Sequence, residues 1–203
     1  MIDPIEAVHL GDEEQPDDAE LMARVRTGDR HAFARLVDRH KDAVVNYVAR
    51  LTGSRDRAED LAQETFLRLF RAAAGYLEQG HLRAYLYRIA TNLVRSEERR
   101  ERRLRLLLPF LGPDRPHAEP AAPSGLLRQE IHRKVAAAVA ELPLRFRVPL
   151  VLHEIEGWPY ADIARELGCR EGTVKSRIHR GRQQLKQELE PYWNGGTPWK
   201  INR

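Results

Sequence analysis

The chain has 203 residues, of which 42% are hydrophobic, 32% charged and 7% aromatic, with a formal net charge of +4. That length admits one domain or two small ones, and the scarcity of aromatics points to small cores. No apolar run approaches the ~18–20 residues of a membrane span, the N-terminus lacks the basic start and apolar stretch of a secretion signal, and the lone Cys169 has no partner for an internal disulfide. The expectation is a cytoplasmic protein in a reducing compartment, with no stable membrane insertion.

Charge is unevenly placed. Residues 1–20 hold Asp3, Glu6, Asp12, Glu13, Glu14, Asp17, Asp18 and Glu20 and no Lys or Arg, while basic residues gather in 83–105 and 170–186. An acidic tail and basic faces suit a polyanionic partner. Residues 1–16 read as an acidic disordered extension. Helical periodicity starts near Asp17, and Gly28-Asp29 reads as a stop and restart with Asp29 as N-cap. The second helix puts Phe33, Val37, His40, Val44, Val48 and Leu51 on one face and is closed by Gly53. Asp56, with Glu59 three residues on, resembles a capping box for the third helix, expected to run to about Ala74.

In DLAQETFLRLF (60–70), Leu61, Ala62, Thr65, Phe66 and Leu69 face a core. Asp60, Gln63, Glu64 and Leu67 share the other side, an acidic face with an exposed leucine that suits a protein partner; a solvated face with an incidental leucine is the plainer alternative. Residues 75–80 form a loop. The fourth helix, about Leu82–Arg103, buries Leu82, Tyr85, Leu86, Ile89 and Leu93. Arg88, Asn92, Arg95 and Arg99 line its opposite side, where arginines can hold phosphates and Asn a base edge. Tyr85 and Tyr87 can stack on an unpaired base, although Tyr85 also lies on the apolar stripe. Residues 105–124 carry five prolines and read as a flexible linker.

Periodicity resumes with Leu127, Ile131, Val135, Ala138 and Leu142, and Pro143 breaks it. The next helix carries Phe146, Leu150 and Val151, with Pro149 expected to kink it or mark a late start, and ends at Gly157. Two helices follow, about Tyr160–Leu167 and Glu171–Glu190, at helix-turn-helix spacing with Gly168 in the turn. With Ile163, Leu167, Val174 and Ile178 inward, the second of the pair turns out Lys175, Ser176, His179, Arg180 and Gln183, residue types that donate to base edges, while Arg177 and Arg182 at the flanks suit phosphates. No stretch reads as a strand. The expected fold is all-α: two small helical domains joined by a Pro-rich linker, the second a helix-turn-helix. The divisions are 1–16, 17–104, 105–124, 125–190 and a tail, 191–203, with Trp193 and Trp199.

The segments AEDLAQETFLRLF, LRAYLYRIATNLVR and EIEGWPYADIARELGCREGTVKSRIHRGRQQL resemble, in that order, signatures of bacterial RNA polymerase sigma factors of the small extracytoplasmic-function class. The likeness spans roughly residues 18–100 and 127–188. It implies that the first domain binds the polymerase clamp through Asp60, Gln63, Glu64 and Leu67. The same domain would read and melt the −10 promoter element through Arg83, Arg88, Asn92 and Arg95 with the 75–83 loop. It implies that the second domain reads the −35 element through Lys175, Ser176, Arg177, His179, Arg180 and Arg182. Core RNA polymerase, promoter DNA and an anti-sigma factor are the implied partners. Tyr85 departs from the tryptophan usual at its position, and the extension and tail lie outside the family's core.

A free-standing helix-turn-helix regulator is the competing reading, but it leaves the 60–71 and 81–100 faces idle. No nucleophile–base set, P-loop or metal-ligand spacing marks an enzyme, a cofactor or a metal site; His31 and His40 are too far apart along one helix to share an ion. The linker's reach fits the promoter reading. Elements centred about 25 base pairs apart and about 6 long leave on the order of 19, or roughly 65 Å at about 3.4 Å each. Residues 105–124 fully extended span roughly 66–72 Å.

Overall fold

The computed structural model describes residues 16–76, 81–107 and 126–190, apart from the side chains of residues 105, 107 and 126–132. Its order is α1 (Asp18–Arg26), α2 (Arg30–Thr52), α3 (Arg55–Ala72), a 3-10 turn (Ala73–Gly75), α4 (Leu82–Leu107), α5 (Leu126–Glu141), α6 (Leu144–Glu154), α7 (Tyr160–Leu167) and α8 (Glu171–Leu189). The described residues contain no strand. The expectations for the extension, most of the linker and the tail fall on residues outside those described.

Local chemistry sets the helix starts in the first domain, α1–α4. Asp17 and Glu20 form a reciprocal capping box, the Glu20 N–H donating to Asp17 at 2.8 Å and the Asp17 N–H to Glu20 at 3.2 Å. Asp29 caps α2, accepting from His31 N–H at 2.8 Å and Ala32 N–H at 3.0 Å. The hydrogen bonds from Ala32 and Arg24 hold its carboxyl below the usual range. The capping box expected at Asp56 is not the one that forms. Ser54 caps α3 through its hydroxyl and Arg57 N–H, which starts the helix at Arg55 and leaves Asp56 in the first turn, facing the positive end of the helix dipole. The helix α4 continues to Leu107, into the segment read as linker, carried by the charged run 97–103 and the leucines that follow, with neither Gly nor Pro before Pro109.

The core joins Leu21 and Met22 of α1, Leu36, Val44, Val48 and Leu51 of α2, Ala62, Phe66 and Leu69 of α3, and Leu86 and Ala90 of α4. Each such large side chain taken from water contributes about 1.5–3 kcal/mol. Between α2 and α4 the Tyr47 and Thr91 hydroxyls pair at 2.7 Å, and burial raises the Tyr47 phenol. At the α1–α2 seam, Asp18 accepts from Arg39 at 2.7 Å and pairs with His40 Nε2 at 2.8 Å.

The second domain, α5–α8, is centred on Leu142, Phe146, Val151, Ile163, Val174, Ile178 and Leu185. The helix α6 starts at Leu144 and passes through Pro149 rather than starting late at it. Pro149 is buried among apolar neighbours, and the carbonyl it leaves without an N–H partner belongs to the exposed Arg145, which water can serve. The helix α8 crosses α6 at Gly181: a Cβ there would stand 3.0 Å from Leu150 Cδ1 and 3.6 Å from Phe146 Cβ.

The two domains do not stand apart. The C-terminal end of α2 abuts α5 and α6, where a Cβ on Gly53, whose φ is +70°, would meet Ala140 Cβ at 2.8 Å. Arg147 of α6, 7% exposed, donates to the Leu142 carbonyl of its own domain at 2.6 and 3.0 Å. The same guanidinium reaches across to the Leu51 carbonyl at the end of α2 and to Glu98 of α4, the latter at 3.1 Å. A buried guanidinium needs this number of acceptors, since an unpaired one would cost several kcal/mol.

Candidate nucleic-acid and polymerase interfaces

The helix α8 presents the face expected of it. Val174, Ile178, Leu185 and Leu189 are buried, while Lys175, Ser176, His179, Arg180, Arg182 and Gln183 are exposed and Arg177 is half-buried. Lys175 Nζ lies 5.5 Å from the Tyr160 ring centroid, which steadies it without neutralising it. Arg182 differs: it is bound to Glu154 at the end of α6, its Nε donating at 2.9 Å. A phosphate reaching Arg182 must therefore compete with a carboxylate.

On α3, Asp60, Gln63 and Leu67 are exposed and Glu64 is half-buried. Leu67 is 47% exposed. The sequence reading missed Phe70, 40% exposed one turn on from Leu67, its ring 4.9 Å from that of Phe33. The i, i+3 spacing of Leu67 and Phe70 was a visible signal. Glu64 is engaged by Arg68 at 2.8 Å, more remotely by Arg71, and the Arg68 hydrogen bond holds its carboxyl below the usual range. Asp60 and the apolar pair are therefore the freer part of this face.

On α4, Arg88, Asn92 and Arg95 share one side. Arg88 sits over the Tyr85 ring at 5.0 Å, Arg95 donates to Asn92 at 3.3 Å, and Tyr85 packs edge-on against Tyr76 at 5.1 Å. This side is roofed by the second domain. Arg88, Thr91, Asn92 and Arg95 line a cleft completed by Glu166 and Leu167 of α7. Burial pushes the Glu166 carboxyl up to about 7, against the pull of Arg88.

Arg83 is placed apart from that cleft. It donates to Tyr87 at 3.0 Å and to Glu156, in the turn between α6 and α7, at 2.6 Å. Glu156 also accepts from Tyr87 at 2.8 Å and from Arg50 at 2.9 Å, and its side chain is 5% exposed. Tyr87 is 1% exposed. Two rings stack parallel to it, Tyr47 with centroids 4.2 Å apart and Trp158 at 5.8 Å, each inclined by 2°. Burial pushes its phenol up to about 12. The stacking on an unpaired base expected of Tyr87 is thus blocked here by Trp158.

The turn that carries Glu156 and Trp158 is stiffly built. Gly157 takes a φ of 74°, Trp158 N–H donates to the Leu152 carbonyl at 2.9 Å, and Pro159 follows. The Trp158 carbonyl meets His153 Nδ1 at 2.9 Å, and the His153 ring stacks on Tyr160 at 4.4 Å. Nothing in local sequence pairs Tyr87 with Trp158, so the contact could not be read from periodicity. Among the described residues no group of His, Cys, Asp and Glu is placed to hold a metal ion, and no helix is long and apolar enough to cross a membrane.

Each domain contains a match to a known family: residues 36–104 match sigma-70 region 2, and residues 132–185 match sigma-70, region 4. The extracytoplasmic-function sigma factor SigE of Mycolicibacterium smegmatis is 39% identical over 197 residues, covering 92% of this chain and 76% of that one. The sigma-E factor of Escherichia coli is 31% identical, covering 88% and 97%. Among solved structures, the sigma factor RpoE of Bartonella quintana, in complex with the anti-sigma factor NepR, superposes with a TM-score of 0.63 at 25% identity, covering 78% of this chain and 96% of that one. CnrH in complex with the cytosolic domain of CnrY gives 0.62 at 26%, covering 84% and 96%. The chain belongs to the extracytoplasmic-function RNA polymerase sigma factors.

Proposed function

We propose that this sigma factor divides its work among three faces. Asp60, Gln63, Glu64 and Leu67 of α3, extended by Phe70, dock on core RNA polymerase. Arg83, Arg88, Asn92 and Arg95 of α4 take the −10 element as it melts, the guanidiniums holding the single strand and Asn92 reading a base edge. Lys175, Ser176, His179 and Arg180 of α8 read the −35 element in the major groove, with Arg177 and Arg182 on phosphates. Residues 105–124, the Pro-rich stretch with the end of α4, span the two. An anti-sigma factor is the expected regulator, in keeping with the partner of the Bartonella quintana relative.

The observation that carries this reading is the exposed cationic side of α8 on a seat of Val174, Ile178 and Leu185, in a region 4 domain that follows region 2. Transcription by core polymerase from a genomic fragment library, with start sites mapped, tests it. Added protein should create a discrete set of starts sharing two spaced elements. Site-specific duplex binding without polymerase, together with no new starts, would instead support a free-standing regulator.

A further inference from the structure

We propose that the Glu156–Trp158 turn of the second domain occupies a nucleotide site on the first, so that the closed molecule and one bound to single-stranded DNA exclude each other. This rests on the reading of α4 as the strand-binding face and adds to Arg83, already on that face, the ring of Tyr87 and the guanidinium of Arg50, the three groups that together bind Glu156.

The chemistry of the contact is that of a nucleotide. Trp158 lies parallel to Tyr87 at 5.8 Å, an offset stack in which an indole takes the place a base would take. Beside it the Glu156 carboxylate takes the place of a phosphate: Arg50 at 2.9 Å, Arg83 at 2.6 Å and the Tyr87 hydroxyl at 2.8 Å all donate to it. Tyr47, stacked parallel to Tyr87 at 4.2 Å, fixes the ring as a platform. A flat aromatic next to a fixed anion, received by a ring and two guanidiniums, is the arrangement by which single strands are held without base-edge reading. Tyr87 directly precedes Arg88 on α4, so a strand held at Arg88 reaches the platform by passing roughly a quarter turn around the helix.

Closure by a mimic also accounts for the stiffness of the turn. Gly157, Pro159, and the bonds of Trp158 to Leu152 and His153 set the indole and carboxylate before contact, so little ordering cost opposes closure. When the domains separate, Tyr87, Arg50 and Arg83 are uncovered together.

The test uses the full chain with Cys169→Ser and spin labels at the exposed positions of Arg35 and Gln187, one in each domain. It is paired with anisotropy titration of a labelled oligothymidylate of about 12 nucleotides, within the usual span of single-strand sites. The variant Glu156→Gln with Trp158→Ala should lengthen the interdomain distance and tighten oligothymidylate binding by on the order of tenfold, the gain from removing a competing closed population. In that opened background, Tyr87→Leu or Arg83→Gln should reverse the gain. Arg83, half-exposed, serves where a Tyr87 variant fails to fold.

An unchanged distance overturns the latch. Opening without tighter binding, or a gain indifferent to both Tyr87→Leu and Arg83→Gln, overturns the nucleotide site. Loss of the gain with Arg83→Gln but not with Arg88→Ala and Asn92→Ala would leave this proposal standing and remove the latter pair from strand binding. The reverse pattern would preserve the α4 reading and overturn the proposal.

Discussion

Gly53 offers a direct physical handle on closure. Its would-be Cβ stands 2.8 Å from Ala140 Cβ, whereas carbon atoms rest at about 3.5–4.0 Å. The substitution Gly53→Ala therefore requires α2 and α5 to part by roughly 0.7–1.2 Å, between two methyls with no rotamer to yield. That movement begins two residues from Leu51, whose carbonyl receives Arg147. A second cost is local: alanine in the left-handed region is strained by about 1–2 kcal/mol wherever it occurs. Gly168→Ala supplies the control, since Gly168 has a φ of +61° and nothing within 4 Å of its would-be Cβ. Both variants should lose the same 1–2 kcal/mol in urea unfolding of the domain concerned. Only Gly53→Ala should lengthen the distance between labels at Arg35 and Gln187. Were the Gly53→Ala distance to stay at its closed value, with no greater loss of stability than in Gly168→Ala, the packing of the domains described above would be wrong.

Four further outcomes follow from named contacts. Arg180→Ala should relax preference at one position of the −35 element and cost about 1–3 kcal/mol in duplex binding, whereas Arg182→Ala should weaken all sequences alike and lower the salt slope by about one; selection on randomised duplexes at two salt concentrations checks both. Leu67→Ser with Phe70→Ser should abolish co-purification with core polymerase while circular dichroism stays helical, and retained binding would move the docking face elsewhere. Asn92→Ala with Arg88→Ala should impair permanganate reactivity of the −10 bubble more than binding of the closed duplex, and a normal bubble would discharge both residues. Burial in the closed structure holds the Glu166 carboxyl up at about 7, and the part of that burial supplied by α4 is lost on opening, so the closed form holds the proton more tightly than the open one. Closure should then be favoured at low pH and weaken as pH rises between about 4.5 and 7, levelling above that. Arg88 of α4, whose charge pulls the carboxyl down, limits the change. Glu166→Gln should flatten the pH dependence of the label distance, and an unaltered profile would assign it to another group.

Much of this molecule was legible because its signals are local. The restart at Asp29, the closure of α2 by Gly53, the break at Pro143 and the turn at Gly168 each depend on one residue's backbone preference. The buried faces of α2, α3 and α8 follow from helical spacing alone. Where two local signals competed, the earlier one won: Ser54 stands two residues before Asp56 and takes the cap, a separation too small to decide between them by rule. Phe70 was passed over because it adjoins the buried Leu69, although its spacing from Leu67 puts it on the open side. The pairing of the domains was illegible for a different reason. Arg50, Arg83 and Tyr87 meet Glu156 across tens of residues, and no periodicity records such a meeting. Arg147 was the nearest thing to a clue, a cation within the apolar run from Phe146 to Leu152 that had to find acceptors somewhere.

The seat of α8 has a consequence for how such a protein changes over generations. Gly181 lets α8 lie against Leu150 and Phe146 with no side chain between them, and Val174, Ile178 and Leu185 complete the attachment from the same side. Lys175, Ser176, His179 and Arg180 take no part in it. On the reading proposed for α8, vocabulary and grammar are separated on one helix: the outward letters can be rewritten without loosening the inward ones. A duplicated copy could acquire a new target by drift at a handful of exposed positions, each nearly neutral for folding, while a change at Gly181 would drive the whole helix off its bearing at once. Diversity of address should therefore accumulate on the open side of α8 faster than anywhere in its footing.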